Sequence, residues 1–198
     1  MLRYLISKTD ALRQNGIVEA IKGVLDDPAL SILDVGCGHG LLAERLMADN
    51  PLWKIQGVDV VVQPECPISV TPYDGEQLPF PDKSFDAVFC VDMLHHTDDP
   101  RCLLMEACRV AKKWVIVKDH IADSRWDHGV LTFLDWTGNA GTGVPMPYNF
   151  LSSQQWKSLY DEVGLIEVEK RHPIRYWPGI IGHALDRQFH FTSKLKVS

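Results

Sequence analysis

The sequence predicts an α/β fold: a seven-stranded, mostly parallel sheet with helices on both faces and the last strand antiparallel. Three observations lead there. Short apolar runs of strand length, Ser31 to Val35, Phe85 to Val91 and Trp114 to Val117, alternate with segments of helical spacing. These runs are continuously apolar, which suits strands buried on both faces, and strand–helix alternation of this kind builds a parallel sheet. Near residues 165–171 and 187–197 two strand patterns follow one another with no helical crossover between them. A parallel neighbour needs such a crossover, so the last strand is expected to run antiparallel.

A helix is expected near residues 10–25, with Ile17, Val18, Ile21, Val24 and Leu25 on one face. The strand Ser31 to Val35 runs into a glycine loop. Leu41 to Ala48 reads as a helix stopped by Asn50-Pro51, and Trp53 to Asp59 and Ile68 to Thr71 as two further strands. YDGEQLPFPDKS, rich in turn formers, leads to the strand Phe85 to Val91. Asp99 and Pro100 supply a cap and a first-turn proline for a helix burying Leu103, Leu104, Ala107 and Cys108. Lys112 and Lys113 are expected to close it. Beyond the strand Trp114 to Val117, Ser124 to Trp136 shows Trp126, Val130, Phe133 and Leu134 at helical spacing, and 137–149 reads as a loop. Ser152 and Gln155 form a capping-box pattern, and Gly164 is the expected stop of the helix that follows.

One domain is expected across 1–198. The net charge of −6 and the absence of basic runs argue against a nucleic-acid partner. No apolar stretch is long enough to span a membrane. MLRYLISKTD lacks the apolar run and cleavage site of a signal peptide, and the five cysteines form no Cys-x-x-Cys pair. A reduced, cytoplasmic protein is the expectation.

The sharpest signal is ILDVGCGHG, residues 32–40, where a strand leads into Gly36-x-Gly38-x-Gly40 and then a helix. The helix start offers free N–H groups to an anionic ligand end. Dinucleotide sites need Gly-x-Gly-x-x-Gly; here the third glycine comes one position early. Asp34, two residues before the first glycine, is a poor neighbour for pyrophosphate and a good one for an ammonium group. Asp59 ends the second strand, where a carboxylate accepts from ribose hydroxyls. Asp74, in YDGE, can accept from an adenine amine, although Asp-Gly is also a common turn pair. An amino acid, a ribose and an adenine together describe S-adenosylmethionine.

On LDVGCGHG (33–40), GVD (57–59), DGEQLPFPDKSFDAVFCVDMLHHTDDP (74–100) and WVIVKD (114–119), the chain resembles the class I S-adenosylmethionine-dependent methyltransferases. It is most similar to the broad methyltransferase domain 11 group that includes ubiquinone- and menaquinone-biosynthesis enzymes. The resemblance covers residues 31–120 and implies a Rossmann-like fold. It implies that Gly36, Gly38 and Gly40 pass the methionine part and that Asp34 faces its amino group. By the same resemblance Asp59 holds the ribose, Val60 lies against the adenine, Asp74 and the Gly75 backbone read its edge, and Cys90 lines the methyl side.

Methyl transfer from a sulfonium is an in-line displacement that needs alignment and exclusion of water, and a base only where the acceptor must lose a proton. Candidate bases lie at the C-terminal strand ends: His95, within the His95-His96 pair common in the resembled group, for which a structural or helix-capping role is the alternative, and His120, in the cluster Lys118, Asp119 and His120 that ends the fifth strand. Joint cation binding by Asp92 and Asp119 is set aside for want of a third ligand, and no metal site is expected. Residues 121–150, with Trp126, Trp136, Met146, Tyr148 and Asn149, are the expected cover of a small-molecule acceptor, and Gly138, Gly141 and Gly143 would let the loop act as a lid. The alternative for the two tryptophans is packing onto the core. Competing functions are a cofactor-binding scaffold without turnover and a protein or nucleic-acid methyltransferase; the glycine spacing disfavours a nicotinamide-dependent dehydrogenase.

Overall fold

The computed structural model describes residues 2–139, 146–176 and 188–198, with the side chains of 2–11 and 139 left aside. In chain order the elements are α1 (Leu2–Val24), β1 (Ser31–Val35), α2 (Leu41–Asp49), β2 (Lys54–Asp59), β3 (Val70–Pro72), β4 (Phe85–Val91), a 3-10 turn (Leu94–His96), α3 (Pro100–Val110), β5 (Ala111–His120), α4 (Arg125–Asn139), α5 (Ser153–Val163), β6 (Leu165–Arg171) and β7 (His190–Val197). The seven strands form one sheet in the order β3-β2-β1-β4-β5-β7-β6. β1, β2, β3, β4 and β5 pair in parallel, and β7 lies antiparallel between β5 and β6. The strand composition therefore does what it predicts.

Alternation along the strands divides the interior into two layers. Ile32, Ile55, Ala87, Phe89 and Ile116 pack beneath α1 and α2. Leu33, Val35, Val88, Cys90, Val115 and Val117 pack beneath α3 and α5. Local chemistry sets the helix ends. The Asp99 carboxylate accepts from the backbone N–H of Arg101 and Cys102 with Pro100 at the first turn, Ser152 and Gln155 complete a capping box, and Gly164 ends α5 at φ 78°.

Two local expectations need correction. α3 stops at Val110, and Lys112 and Lys113 lie on β5. Ala111 pairs with Phe85, so sheet pairing captures the chain one residue after the helix and the lysines stand as exposed strand residues. On α4 the helically spaced residues divide: Trp126 is 70 % exposed, Phe133 61 % and Trp136 52 %, whereas Val130 packs partly buried against Leu131, Phe150 and Phe189. Tryptophan packing onto the core is thereby excluded. Gly141 and Gly143 lie outside the described residues.

Among the described residues no helix is long and apolar enough to cross a membrane.

Candidate active site

The sheet order reverses direction between β1 and β4: the chain runs outward through β2 and β3 on one side and through β4 and β5 on the other. Such a switch point opens a crevice at the C-terminal ends of the strands. The glycine loop after β1 and the segment after β4 are its two lips. They touch, since a Cβ on Gly36 would come 3.1 Å from the Met93 Cβ.

Gly36, Gly38 and Gly40 all have positive φ, 70°, 53° and 69°, which favours glycine at each. Gly40 opens α2, its carbonyl accepting from Glu44 N at 3.0 Å. Around Gly38 there is room: a Cβ built there meets nothing within 4 Å. The loop therefore presents bare backbone to open space.

Asp59 holds both walls of this space. One carboxylate oxygen accepts from Gly38 N at 2.8 Å and the other from Val61 N at 3.0 Å. Each oxygen has two lone pairs, so one acceptor position on each remains for ligand hydroxyls. Val60, 51 % exposed, stands opposite Gly75, whose Cβ would meet a Val60 methyl at 3.5 Å. Asp74 holds its own turn, one oxygen accepting from Glu76 N and Gln77 N, and these bonds keep its carboxyl below the usual range. Only its second oxygen is left to meet a ligand. Asp34 is buried beneath the loop, where burial and the neighbouring Asp59 charge raise its carboxyl to about 7. The Cys90 side chain is also fully buried, inside the layer under α3 and α5, and burial pushes its thiol up. As a thiol it faces core, so any part it has in the crevice falls to its backbone.

On the β4–β5 lip, Asp119 organises both predicted histidines. Its Oδ1 stands 2.7 Å from His95 Nδ1 and 3.1 Å from His120 Nδ1, and accepts from His120 N at 2.8 Å. Burial alone would lower His95, but Asp119, with help from Asp135 and Asp92, carries it up to about 10. Burial lowers His120 to about 4, outweighing its bond to Asp119, and Lys118 adds to the effect. His120 is thus a neutral imidazole at neutral pH. With Nδ1–H directed at Asp119, the lone pair lies on Nε2. The Trp156 indole N–H donates to the His120 carbonyl at 2.9 Å and pins this strand end.

The sequence reading misses two partners here, Asp135 and Arg13, and the burial of a third, Lys118. Asp135 of α4 brings its Oδ1 to 3.8 Å from His95 Nε2 and 3.6 Å from His96 Nε2. Lys118, fully buried on β5, is ion-paired with Asp92, whose other oxygen takes Arg13 of α1 at 2.5 Å. Asp92 is thereby occupied by two cations, which removes it from any cation site shared with Asp119. The Asp-Met-Leu-His-His string contains the signal for the β4 end; nothing local marks Asp135, 40 residues downstream of His95.

Residues 33–116 match the methyltransferase domain family. A ubiquinone biosynthesis O-methyltransferase of Hahella chejuensis is 33% identical over 100 residues, covering 43% of this chain and 40% of the relative. A tRNA U34 carboxymethyltransferase of Nautilia profundicola is 32% identical over 85 residues, covering 38% of this chain and 28% of the relative. The chain thus spans less than half the length of these curated relatives. Among solved structures, an S-adenosylmethionine-dependent methyltransferase of Thermotoga maritima superposes with a TM-score of 0.64 at 20% identity, covering 100% of this chain and 96% of that one.

Proposed function

We propose that this chain, which carries a methyltransferase domain of the class I, S-adenosylmethionine-dependent kind, transfers a methyl group to an O, N or C nucleophile of a small molecule. The observation that carries this reading is the shared crevice. The open glycine loop and the Asp119-bound histidines follow the C-terminal ends of the neighbouring parallel strands β1, β4 and β5, at the β1–β4 switch point.

The residues fit the group. Gly36, Gly38 and Gly40 offer the methionine end bare backbone, and Asp34 offers its ammonium a buried carboxylate. Asp59 accepts from the ribose, Val60 covers one adenine face, and Gly75 with the second Asp74 oxygen meets the adenine edge. When bound, S-adenosylmethionine supplies an already activated methyl group. The protein's part is alignment and exclusion of water. His120 Nε2 can take the proton of an acidic acceptor, and Asp119 would stabilise the imidazolium formed. α4 turns Asp135 toward this lip and keeps Trp126, Phe133 and Trp136 exposed on its other side, so the reading needs only a small acceptor. The net charge of −6 favours such an acceptor over a nucleic acid.

Calorimetric titration with S-adenosylhomocysteine tests the cofactor site. Wild type is expected to bind, and Asp59→Ala to bind at least tenfold more weakly, about 1.4 kcal/mol. Absence of binding to wild type removes the methyltransferase reading.

Asp34 gives this binding a pH dependence of definite sign. Its carboxyl is raised in the free protein, so from this group the folded state loses stability as pH rises from about 4, the ordinary carboxylate range, to about 7. A ligand ammonium beside it favours the carboxylate and releases the proton. Affinity for S-adenosylhomocysteine should therefore climb with pH up to about 7 and level off above, with proton release visible as a buffer-dependent binding heat. Asp34→Asn should abolish that slope; an unchanged slope would place the ammonium elsewhere.

A further inference from the structure

We propose that His95, His96 and Asp135 form a binding site for one divalent transition-metal ion, with Asp119 orienting His95. Two imidazoles and a carboxylate are a donor set for zinc, cobalt or iron. One ligand atom from each of the three lies within 4.8 Å of the others.

The distances separate this set from the neighbouring group of His95, Asp119 and His120. Asp135 Oδ1 stands 3.6 Å from one ring nitrogen and 3.8 Å from the other. These are too long for hydrogen bonds. Ligands bound at 2.0–2.1 Å around a tetrahedral ion sit about 3.3 Å apart, so the two Asp135–histidine separations need to contract by only a few tenths of an ångström. The neighbouring group of His95, Asp119 and His120 is different. Its nitrogen–oxygen distances of 2.7 and 3.1 Å are hydrogen bonds already made and leave no space for an ion.

Asp119 supplies the second argument. A metal-bound imidazole characteristically gives its other N–H to a carboxylate, which fixes the tautomer and aims the lone pair. His95 Nδ1 has that contact at 2.7 Å, and its Nε2 is the atom turned toward Asp135. The ion would displace the proton that Nε2 otherwise directs at Asp135, while Nδ1 keeps its bond. Around the rings three carboxylates, Asp92, Asp119 and Asp135, face two fixed cations, Lys118 and Arg13, a field that accepts added positive charge.

The 3-10 turn holds the two rings side by side, with centroids 4.1 Å apart, and α4 brings Asp135 over them. Three protein ligands leave a fourth position open. That position borders the crevice, where an oxygen of an acceptor could coordinate and be made more acidic. Metal binding itself does not depend on methyl transfer.

The experiment is a titration of the EDTA-treated full chain with Co2+, read by its visible absorption bands, followed by Zn2+ competition. Wild type is expected to take up about one ion per chain. Asp135→Asn and His96→Gln should each weaken Co2+ binding at least tenfold, and Asp119→Asn by ~10–100-fold. His128→Gln, which alters an exposed histidine nearby, should leave it unchanged. Calorimetry with S-adenosylhomocysteine on each variant shows that the crevice is intact and separates loss of metal from loss of fold. A wild type that binds no ion, or Asp135→Asn and His96→Gln variants that bind as wild type does, overturns the site.

Discussion

Asp92→Ala is expected to lower the unfolding free energy by about 3–5 kcal/mol, the range for breaking a buried ion pair from one side. Lys118 is fully buried on β5 and Asp92 is its paired carboxylate. Burial lowers the Lys118 ammonium; for Asp92, burial is outweighed by Lys118, Arg13 and His120, which hold its carboxyl well below the ordinary range. Removing the carboxylate leaves Lys118 and Arg13 repelling one another beside a neutral His120, or forces Lys118 to give up its proton. Either is costly in an interior of low dielectric. Backbone geometry adds a smaller part, because Asp92 has φ 50°, where aspartate and asparagine are tolerated better than alanine. Asp92→Asn keeps the backbone preference and removes only the charge, so it should lose less. Asp92→Asn combined with Lys118→Met should regain much of the loss by emptying the site of charge. Urea midpoints of the four proteins decide it. A midpoint for Asp92→Ala close to wild type would show that the pair contributes nothing.

Gly40→Val is expected to reduce affinity for S-adenosylhomocysteine by at least a hundredfold, about 2.7 kcal/mol. Gly40 sits at φ 69°, where a β-branched residue is strongly disfavoured. Its new Cβ would also lie 2.5 Å from Cys66 Sγ and 2.8 Å from Ile68 Cγ1. The loop must move, and with it the start of α2 and the N–H groups it presents. Gly38→Ala makes the useful contrast. Its Cβ meets no protein atom, so the free protein should lose only ~1–2 kcal/mol from left-handed backbone strain. Should the crevice hold the ligand, that methyl intrudes on it, and affinity falls more than stability does. Calorimetry beside urea unfolding reads the two quantities separately. Undiminished binding by Gly40→Val would put the ligand away from the loop.

What could be read ahead of the structure followed the range of the interaction involved. The caps of α3 and α5 are local: Asp99 reaches Arg101 and Cys102, and Ser152 reaches Gln155, so a few adjacent residues carry the whole signal. The glycine loop is legible for the same reason, and so is Asp59 at the end of the next strand. α4 was legible as a helix but not in its orientation. Trp126, Phe133 and Leu134 form an apolar stripe that would ordinarily seek the core, yet the helix turns Leu131 and Asp135 inward. Asp135 points in because His95 and His96 are there, about forty residues earlier, and no periodicity encodes such a meeting. The burial of Lys118 was hidden in a similar way. Within an apolar strand it resembles a strand-end charge, and only its pairing with Asp92, after β4, shows why a lysine can be fully buried.

The place of β7 has a consequence for the order in which the molecule can be made. β6 leaves the ribosome ahead of β7, yet its ladder in the sheet is with β7, which also pairs with β5. Until residues 190–197 arrive, the nascent chain holds β5 as an open edge and β6 as a strand without a berth. An open apolar edge is a template for pairing with other chains, and β5 is the most continuously buried of the candidates. β7 therefore acts as a keystone: the growing polypeptide stays vulnerable to aggregation until residues 190–197 are inserted between β5 and β6.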